Sequence, residues 1–158
     1  MGASLIQYRH KEGDDAAKIK DLRHLKTLTS IPIIVNDALH LIDEADGVHL
    51  GQEDLLSIHP DKRKAALHVR DTIGSKLFGL STHNKKEILE ANTFPLDHIG
   101  LGAYRATNTK EVTHILGDSL ADLALFSLHP VGAIGGVTLD DTIANVTYYV
   151  IGSGLYED

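Results

Sequence analysis

The chain contains no cysteine and no tryptophan, and aromatic residues make up only 5% of its 158 positions. Without cysteine it can form neither a disulfide framework nor a thiolate-ligated zinc or iron–sulfur site. Basic residues are also few: 15 stand against 22 acidic ones, which gives a formal charge of −7. Such a chain lacks the basic surface typical of nucleic-acid-binding proteins, so we expect no nucleic-acid partner.

Long apolar runs are absent as well. No run approaches the roughly 18–20 residues that a membrane-spanning helix requires, and the N-terminus has no basic region followed by an apolar stretch of the kind that marks a secretory signal. We therefore expect a cytoplasmic protein with no membrane partner. The length predicts one domain, residues 1–158, with a core large enough to fold without covalent staples.

Short apolar runs, in contrast, recur throughout the chain, about every 20 residues. Most are near-continuous rather than alternating, which is typical of parallel strands covered on both faces. They predict seven strands, at residues 4–9, 31–36, 47–51, 76–81, 98–103, 130–135 and 146–151.

The segments between these runs have helical signals. One apolar stripe predicts a helix over residues 15–29, and Pro60 is expected to open a helix over residues 61–71. Asn84 and Asp118 are candidate N-caps for helices over 85–92 and 120–126. Two remaining intervals allow only short helices, at residues 37–43 and 139–144. Alternating strands and helices predict a parallel α/β sheet.

Polar residues or glycine follow nearly every predicted strand, and this favours a barrel over an open sheet. In a (β/α) barrel all strands end at one rim, where active sites lie, whereas an open doubly wound sheet focuses fewer of them at its switch point. We therefore expect an α/β fold of the TIM type, a (β/α) barrel with seven parallel strands.

Asp37 and Asp54 follow two consecutive predicted strands. Neighbouring strands lie about 4.8 Å apart, so carboxylates at their ends can share one hard cation. Mg²⁺ in particular prefers one or two carboxylates together with waters and substrate phosphates. The alternative is that both aspartates simply cap the helices that follow them.

Gln7, Arg9 and Lys11 alternate along the end of the first strand and therefore share one face. Two cations and an amide at a barrel mouth would suit a diphosphate, with arginine supplying two-pronged hydrogen bonds. If that face points outward, the same cations are ordinary solvated charges.

Loops after the later strands offer candidate phosphate sites. Gly135 and Gly136 would let backbone amides approach a ligand closely, and barrels often bind phosphate with the loops after their last two strands. The loop over residues 107–110, Thr-Asn-Thr-Lys, adds two hydroxyls and a cation. The alternative for the glycines is a turn that requires positive φ.

Taken together, these segments resemble the thiamine phosphate synthase family, also called the thiamine-phosphate pyrophosphorylases. The most specific segment is Ala-Asp-Gly-Val-His-Leu-Gly-Gln-Glu-Asp at residues 45–54. The others occur in the family's order and span nearly the whole chain, at residues 7–11, 36–37, 79–83, 100–102, 107–110 and 133–136.

The resemblance implies a TIM-barrel transferase of thiamine biosynthesis that requires Mg²⁺. The family joins hydroxymethylpyrimidine diphosphate to hydroxyethylthiazole phosphate and releases thiamine phosphate and pyrophosphate. Departure of the diphosphate leaves a pyrimidine-stabilised carbocation, which the thiazole nitrogen captures. The expected partners are therefore small phosphorylated substrates.

Roles follow from the resemblance at the matching positions. Asp37 and Asp54 would hold Mg²⁺, and four residues would hold the pyrimidine diphosphate: Gln7, Arg9, Lys11 and Asn36. Ser81 and Lys110 would contact the departing pyrophosphate, and with Arg9 they form the expected catalytic set. Five positions would serve the thiazole phosphate: Thr107, Thr109, Gly136, Ile151 and Gly152.

The chain also departs from the family pattern. His10 stands where the family commonly has glutamate, Ala106 where it has proline, and Gly152 where serine is usual. The first predicted strand resembles the family's second, and the last has no closing helix after it, so we expect a barrel that lacks its first strand–helix unit and its last helix. Such a barrel exposes an edge, which a rearranged barrel or a homodimer would cover. A truncated product that cannot catalyse is the third explanation.

Two other functions remain open at this point. One is that of the thiazole tautomerase-like relatives, which have no pyrimidine diphosphate site; retention of Gln7, Arg9, Lys11 and both aspartates argues against it. The other is that of a non-catalytic thiamine phosphate-binding or regulatory homologue.

Overall fold

Each predicted apolar run forms a strand in the computed structural model, which describes residues 2–107 and 114–155. Six of the seven strands are shorter than their runs, and β4 has the length of its run but begins and ends one residue later. They are β1 Ile6–Tyr8, β2 Ile33–Asn36, β3 Gly47–Leu50, β4 Leu77–Thr82, β5 His98–Leu101, β6 Val131–Ala133 and β7 Tyr148–Tyr149. Their order in the sheet is the order along the chain. The predicted fold class, α/β of the TIM type with seven parallel strands, is confirmed.

Parallel pairing brings the carboxyl ends of neighbouring strands to the same edge. β1 pairs with β2 so that Gln7 lies beside Ile34, and β2 pairs with β3 so that Asn36 lies beside His49. Later in the chain, β5 pairs with β6 and β6 pairs with β7, again in parallel. In each of these four pairs, the register places the residues that follow one strand next to those that follow the other.

Helices occupy most of the intervals between strands. The described residues contain α1 Asp15–Leu28, α2 Gln52–Ile58, α3 Lys62–Ile73, α4 Lys85–Ala91 and α5 Ser119–Ala124, with 3₁₀ helices at Leu39–Glu44 and Ser153–Leu155. None of these described helices is long and apolar enough to cross a membrane.

Two compact units divide the chain, Met1–Gly79 and Leu80–Asp158. In the first unit the strand residues Ile33, Ile34, Val35 and Val48 are almost completely buried, together with Leu22 of α1. Burying one such side chain stabilises the fold by about 1.5–3 kcal/mol. The near-continuous apolar run of β2 is therefore explained by cover on both of its faces.

The second unit has its own buried residues. Ile99 and Leu101 of β5 are fully buried, as are Ile88 of α4, Leu120 of α5 and Ala133 of β6. Thr82, the last residue of β4, is also buried, and its Oγ1 donates a hydrogen bond to the carbonyl oxygen of Gly100 at 2.8 Å. That bond satisfies a hydroxyl that would otherwise be costly to bury.

The helix predicted over residues 139–144 is wrong. That segment contains turns and no helix, because its polar groups have partners elsewhere in the second unit. The carboxylate of Asp141 binds Arg105, and the amide of Ile143 donates to the hydroxyl of Tyr149 at 3.1 Å. Six residues form too short a helix to be stable without tertiary support.

Helix starts also differ from prediction. Asp61, and not Pro60, begins the third helix: its carboxylate accepts from the amides of Arg63 and Lys64, so α3 starts at Lys62. Asp118 is helical in backbone conformation and makes no side-chain cap, contrary to prediction. Asn84 is the predicted cap that is confirmed, since it accepts from the amide of Glu87 at 2.9 Å. No range was predicted for α2, which the sequence suggested only through the alternative that Asp54 caps a following helix.

Candidate active site

A chain of side-chain hydrogen bonds links the ends of β1 and β2 in the first unit. Gln7 Nε2 donates to Asn36 Oδ1 at 3.0 Å, and Asn36 Nδ2 donates to Asp37 Oδ2 at 2.6 Å. Each amide therefore has its oxygen and nitrogen roles set by the next residue in the chain.

Asp37 has an unusual backbone conformation, with φ at 63°. This left-handed region disfavours most side chains, although aspartate and asparagine tolerate it better than others. The amide of Asp37 donates to the carbonyl oxygen of His49 at 2.9 Å, which continues the β2–β3 pairing beyond the strands. Ala38, not Asp37, occupies the N-cap position of the following 3₁₀ helix. Helix capping therefore does not explain Asp37.

Asp54 lies in the first turn of α2, directly after β3. Its Oδ2 accepts from the amide of Gly51 at 2.6 Å, which secures the start of that helix. Asp54 is thus the third residue of α2 and supports the start of that helix from within, while Gly51 holds the N-cap position. A carboxylate has two oxygens with room for several donors or ligands, so capping at Oδ2 and metal binding are compatible.

The loop that carries Arg9 and Lys11 is fixed by its neighbours. The hydroxyl of Tyr8 donates to Asp21 Oδ2 of α1 at 2.7 Å and lies 3.2 Å from Nδ1 of His10. His10 Nδ1 is 3.5 Å from the same aspartate oxygen. Partial burial, then the hydrogen bond and charge of Asp21, raise the pKa of Tyr8 to about 12. Arg9 and Lys11 are both exposed and flank His10 in this loop.

In the second unit, Gly135 and Gly136 form the turn after β6. Both have positive φ, 87° and 65°, as the alternative interpretation of these glycines required. A Cβ on Gly135 would lie 2.6 Å from Cβ of Ala103, and one on Gly136 would lie 2.8 Å from Cβ of Arg105. Glycine is therefore required here for two reasons. The loop after β5 approaches closely, and the backbone has positive φ.

Arg105 joins these two loops. Its Nη1 donates to Asp141 Oδ2 at 2.7 Å and to the carbonyl oxygen of Gly136 at 3.0 Å, and its Nη2 donates to Asp141 Oδ1 at 2.5 Å. Asp141 also accepts from the amide of Thr138 at 2.8 Å. Arg105 first, then the Thr138 amide, hold the pKa of Asp141 well below its usual range. The guanidinium also lies 4.5 Å from the ring centre of Tyr104.

Ser81 and Thr82 end β4, and His83 and Asn84 connect that strand to α4. Ser81 is half-buried and His83 is exposed. The backbone amide and Nδ1 of His83 both lie within 2.9 Å of Oε2 of Glu87. This arrangement secures the beginning of α4 and gives His83 a structural role.

Comparison with known proteins shows the family of this chain. The family model described as thiamine monophosphate synthase matches residues 1–148. The chain belongs to the thiamine monophosphate synthase family. The predicted family resemblance is thereby confirmed.

Two curated members and one solved structure illustrate the likeness. The thiamine biosynthesis bifunctional protein ThiED of Geobacter sulfurreducens is 41% identical over 147 residues, which are 89% of this chain and 28% of that protein. The thiamine-phosphate synthase of Vibrio campbellii is 38% identical over 144 residues, 86% of this chain and 66% of that protein. The thiamine phosphate pyrophosphorylase of Pyrococcus furiosus superposes with a TM-score of 0.71 at 26% identity and covers 87% of this chain.

The chain is shorter than these relatives. It spans 28% and 66% of the length of the two curated proteins and 64% of the solved one. The comparisons therefore show the family of this chain. Its activity and substrates have to be argued from its own residues.

Within each unit, the structure places the predicted family residues at the carboxyl ends of strands. Asp37 and Asp54 follow β2 and β3, and Ser81 is the penultimate residue of β4. Ile151 and Gly152 follow β7, and Thr107 is half-buried at the end of the described loop after β5. Thr109 and Lys110 lie outside the described residues, and the roles of all the predicted site residues stay predictions.

In residues 2–107 and 114–155, no three side chains of histidine, aspartate or glutamate cluster closely enough to hold a metal without other ligands. The Asp37 and Asp54 pair is a smaller donor set than such a cluster. It is nevertheless the number of carboxylates that Mg²⁺ commonly uses when substrate phosphates and waters complete its shell.

Sequence reasoning missed three residues of these loops: Tyr8, Arg105 and Asp141. Tyr8 stands between predicted ligands, yet its own partner is on α1. Arg105 and Asp141 are 36 positions apart, and no local pattern pairs them. No signal in the sequence would have suggested this pair.

Proposed function

We propose that this chain is a thiamine phosphate synthase, a transferase that joins hydroxymethylpyrimidine diphosphate to hydroxyethylthiazole phosphate with release of pyrophosphate. The observation that carries the proposal is the hydrogen-bonded series Gln7–Asn36–Asp37 at the ends of β1 and β2. It joins three positions that the family resemblance assigns to diphosphate and metal binding, in a chain matched to the family over residues 1–148.

In the first unit, Gln7 and Asn36 bind and orient the pyrimidine diphosphate, and the exposed cations of Arg9 and Lys11 bind its phosphates. Ionisation of the carbon–oxygen bond places negative charge on the departing pyrophosphate. Cations positioned against that charge stabilise the transition state more than the ground state. No general base is needed, because the attacking thiazole nitrogen carries no proton.

The donor chemistry of Asp37 and Asp54 fits Mg²⁺. Both are carboxylates at neighbouring strand ends, and each already accepts one nitrogen donor at 2.6 Å, which restrains its orientation. When bound there, Mg²⁺ would neutralise phosphate charge as a Lewis acid. The two aspartates would hold the ion, and Asn36 would orient the first of them.

In the second unit, the thiazole phosphate binds the loops after the last strands. Gly136 contributes backbone, Thr107 and Thr109 contribute hydroxyls, and Ile151 and Gly152 contribute the segment after β7. Ser81 and Lys110 contact the departing pyrophosphate. We also propose that the protein is cytoplasmic and forms a homodimer. It is expected to have no nucleic-acid or membrane partner.

The deciding experiment is an assay of the purified chain with both substrates, with and without Mg²⁺. We expect thiamine phosphate and pyrophosphate in equal amounts, and only with Mg²⁺ present. Arg9→Gln should lower kcat/KM about 100-fold, whereas the matched control Arg63→Gln, an exposed arginine of α3, should leave it unchanged.

Other outcomes contradict the proposal and separate its alternatives. Isomerisation of a thiazole phosphate carboxylate without any binding of pyrophosphate would identify a tautomerase-like relative. Binding of thiamine phosphate without formation of product from the two substrates would identify a regulatory homologue.

A further inference from the structure

The turn after β6 has its carbonyl groups held from one side by a single residue, Arg105. The backbone amide of Arg105 donates to the carbonyl oxygen of Gly135 at 2.9 Å. The guanidinium Nη1 of the same residue donates to the carbonyl oxygen of Gly136 at 3.0 Å. Two consecutive carbonyls therefore point toward Arg105.

The directions of these two carbonyls also determine the directions of two backbone amides. In a trans peptide the N–H points opposite to the C=O of the same unit. Since the carbonyls of Gly135 and Gly136 face Arg105, the amides of Gly136 and Val137 point away from it. Successive backbone amides that point the same way in a turn make a concave site suited to an anion.

Asp141 fixes the arginine in turn. It binds both Nη1 and Nη2, at 2.7 and 2.5 Å, and its side chain is only 9% exposed. It also accepts from the amide of Thr138, so the same carboxylate holds the far side of the turn at 2.8 Å. Such a two-pronged pair sets orientation as well as position, which a lysine could not reproduce.

We propose that Arg105 and Asp141 are positioning residues that aim the amides of Gly136 and Val137 at the phosphate of the thiazole substrate. This inference rests on the proposed function only in the identity of the ligand. It adds Val137 to the binding backbone and gives Arg105 a role that does not involve contact with substrate.

The test compares Arg105→Met, Arg105→Lys and Asp141→Asn with a matched control. Arg23 and Glu44 form a similar two-pronged pair in the first unit, at 2.9 and 2.6 Å, so Arg23→Met removes an equivalent contact away from the turn. The first measurement is amide hydrogen exchange of Gly136 and Val137 by NMR in the full chain. We expect faster exchange at both amides in Arg105→Met and Asp141→Asn, and wild-type exchange in Arg23→Met.

The second measurement separates the two substrates. Arg105→Met should raise KM for the thiazole phosphate about tenfold, because the misaligned amides of Gly136 and Val137 would bond less well to the charged phosphate. KM for the pyrimidine diphosphate and kcat should stay within about twofold, since neither depends on the turn. Arg105→Lys should recover only part of the loss. The double variant Arg105→Met/Asp141→Asn should be no worse than the single ones, because the pair acts as a unit.

Unchanged exchange at Gly136 and Val137 in Arg105→Met would overturn the inference, and so would equal increases of both KM values. Calorimetric binding of hydroxyethylthiazole phosphate distinguishes this failure from failure of the proposed function. If the wild type forms no product yet binds the thiazole phosphate more tightly than Arg105→Met does, the positioning role stands and the synthase proposal falls. If the wild type does not bind it, the positioning role falls as well.

Discussion

The side-chain amide of Asn36 donates to the carboxylate of Asp37 at 2.6 Å, between two residues adjacent in sequence. The pair is possible because Asp37 turns into the left-handed region, with φ at 63°, directly after β2 ends. Asn36 is held on its other side by Gln7 of β1. The orientation of the Asp37 carboxylate thus depends on two strands and not on a flexible loop.

Asp37→Asn should lower kcat/KM about 100-fold or more without loss of stability. Asparagine tolerates the left-handed conformation as aspartate does, so the change removes the charge and little else. Enzyme assays measure kcat/KM, and urea denaturation of the same preparation measures stability. Asp43→Asn, an exposed aspartate in the following 3₁₀ helix, is the control. Full activity in Asp37→Asn would remove this residue from the metal site.

Asp37→Gly complements that variant because glycine adopts positive φ without strain. Relief of strain and the added flexibility of the unfolded chain oppose each other, so the free energy of unfolding should change by no more than about 1 kcal/mol. Activity should fall as far as in Asp37→Asn. A large loss of stability in Asp37→Gly would show that the carboxylate is a structural group first.

Gly136→Ala should destabilise the protein by about 2–4 kcal/mol, because it combines backbone strain with overpacking. Its Cβ would lie 2.8 Å from Cβ of Arg105 and 2.9 Å from the carbonyl oxygen of Ala106, at a φ of 65°. Gly152→Ala is the matched control, since nothing lies within 4 Å of a Cβ there, and it should change stability by less than about 0.5 kcal/mol. Urea denaturation measures both; equal effects would contradict the assigned packing.

The strands were predictable from sequence because the signal for each is local. A run such as Ile33-Ile34-Val35 is apolar throughout, and burial on both faces requires that pattern wherever the neighbours come from. The helix over residues 139–144 failed for the opposite reason. The conformation of that segment depends on Arg105, which is 36 positions from Asp141. A pattern of neighbouring residues does not include a partner so distant in sequence.

Of the candidate site, too, some features could be predicted from the sequence and others could not. Gln7 and Asp37 were predicted because Gln7 lies in a strand, Asp37 follows one, and both match family motifs. Their hydrogen-bond order, from Gln7 through Asn36 to Asp37, depends on the register of β1 against β2, which sequence does not supply. Tyr8 was overlooked because its partner, Asp21, lies on α1 with nothing in the spacing to connect them.

Tyr8→Phe should lower the free energy of unfolding at neutral pH by about 0.5–1.5 kcal/mol, the usual effect of one hydrogen bond. The pKa of Tyr8 is raised from 10.0 to about 12. Its contribution is therefore fully present below pH 10.0 and is lost as pH rises through about 12. The difference between wild-type and Tyr8→Phe ultraviolet titrations isolates this phenol. If that difference shows a phenol ionising near pH 10.0, the contact with Asp21 does not persist in solution.

Asp141→Asn should destabilise the protein in a pH-dependent way. Its pKa is held well below the usual range by Arg105 and by the Thr138 amide. A carboxylate whose pKa is depressed by folding contributes stability that is fully present above its unfolded pKa, about 4, and declines as pH falls below it. The difference in urea midpoint between wild type and Asp141→Asn should therefore be largest at neutral pH and shrink toward pH 2. A difference independent of pH would mean that the ionised form of Asp141 adds nothing, and that packing of the turn alone accounts for the loss.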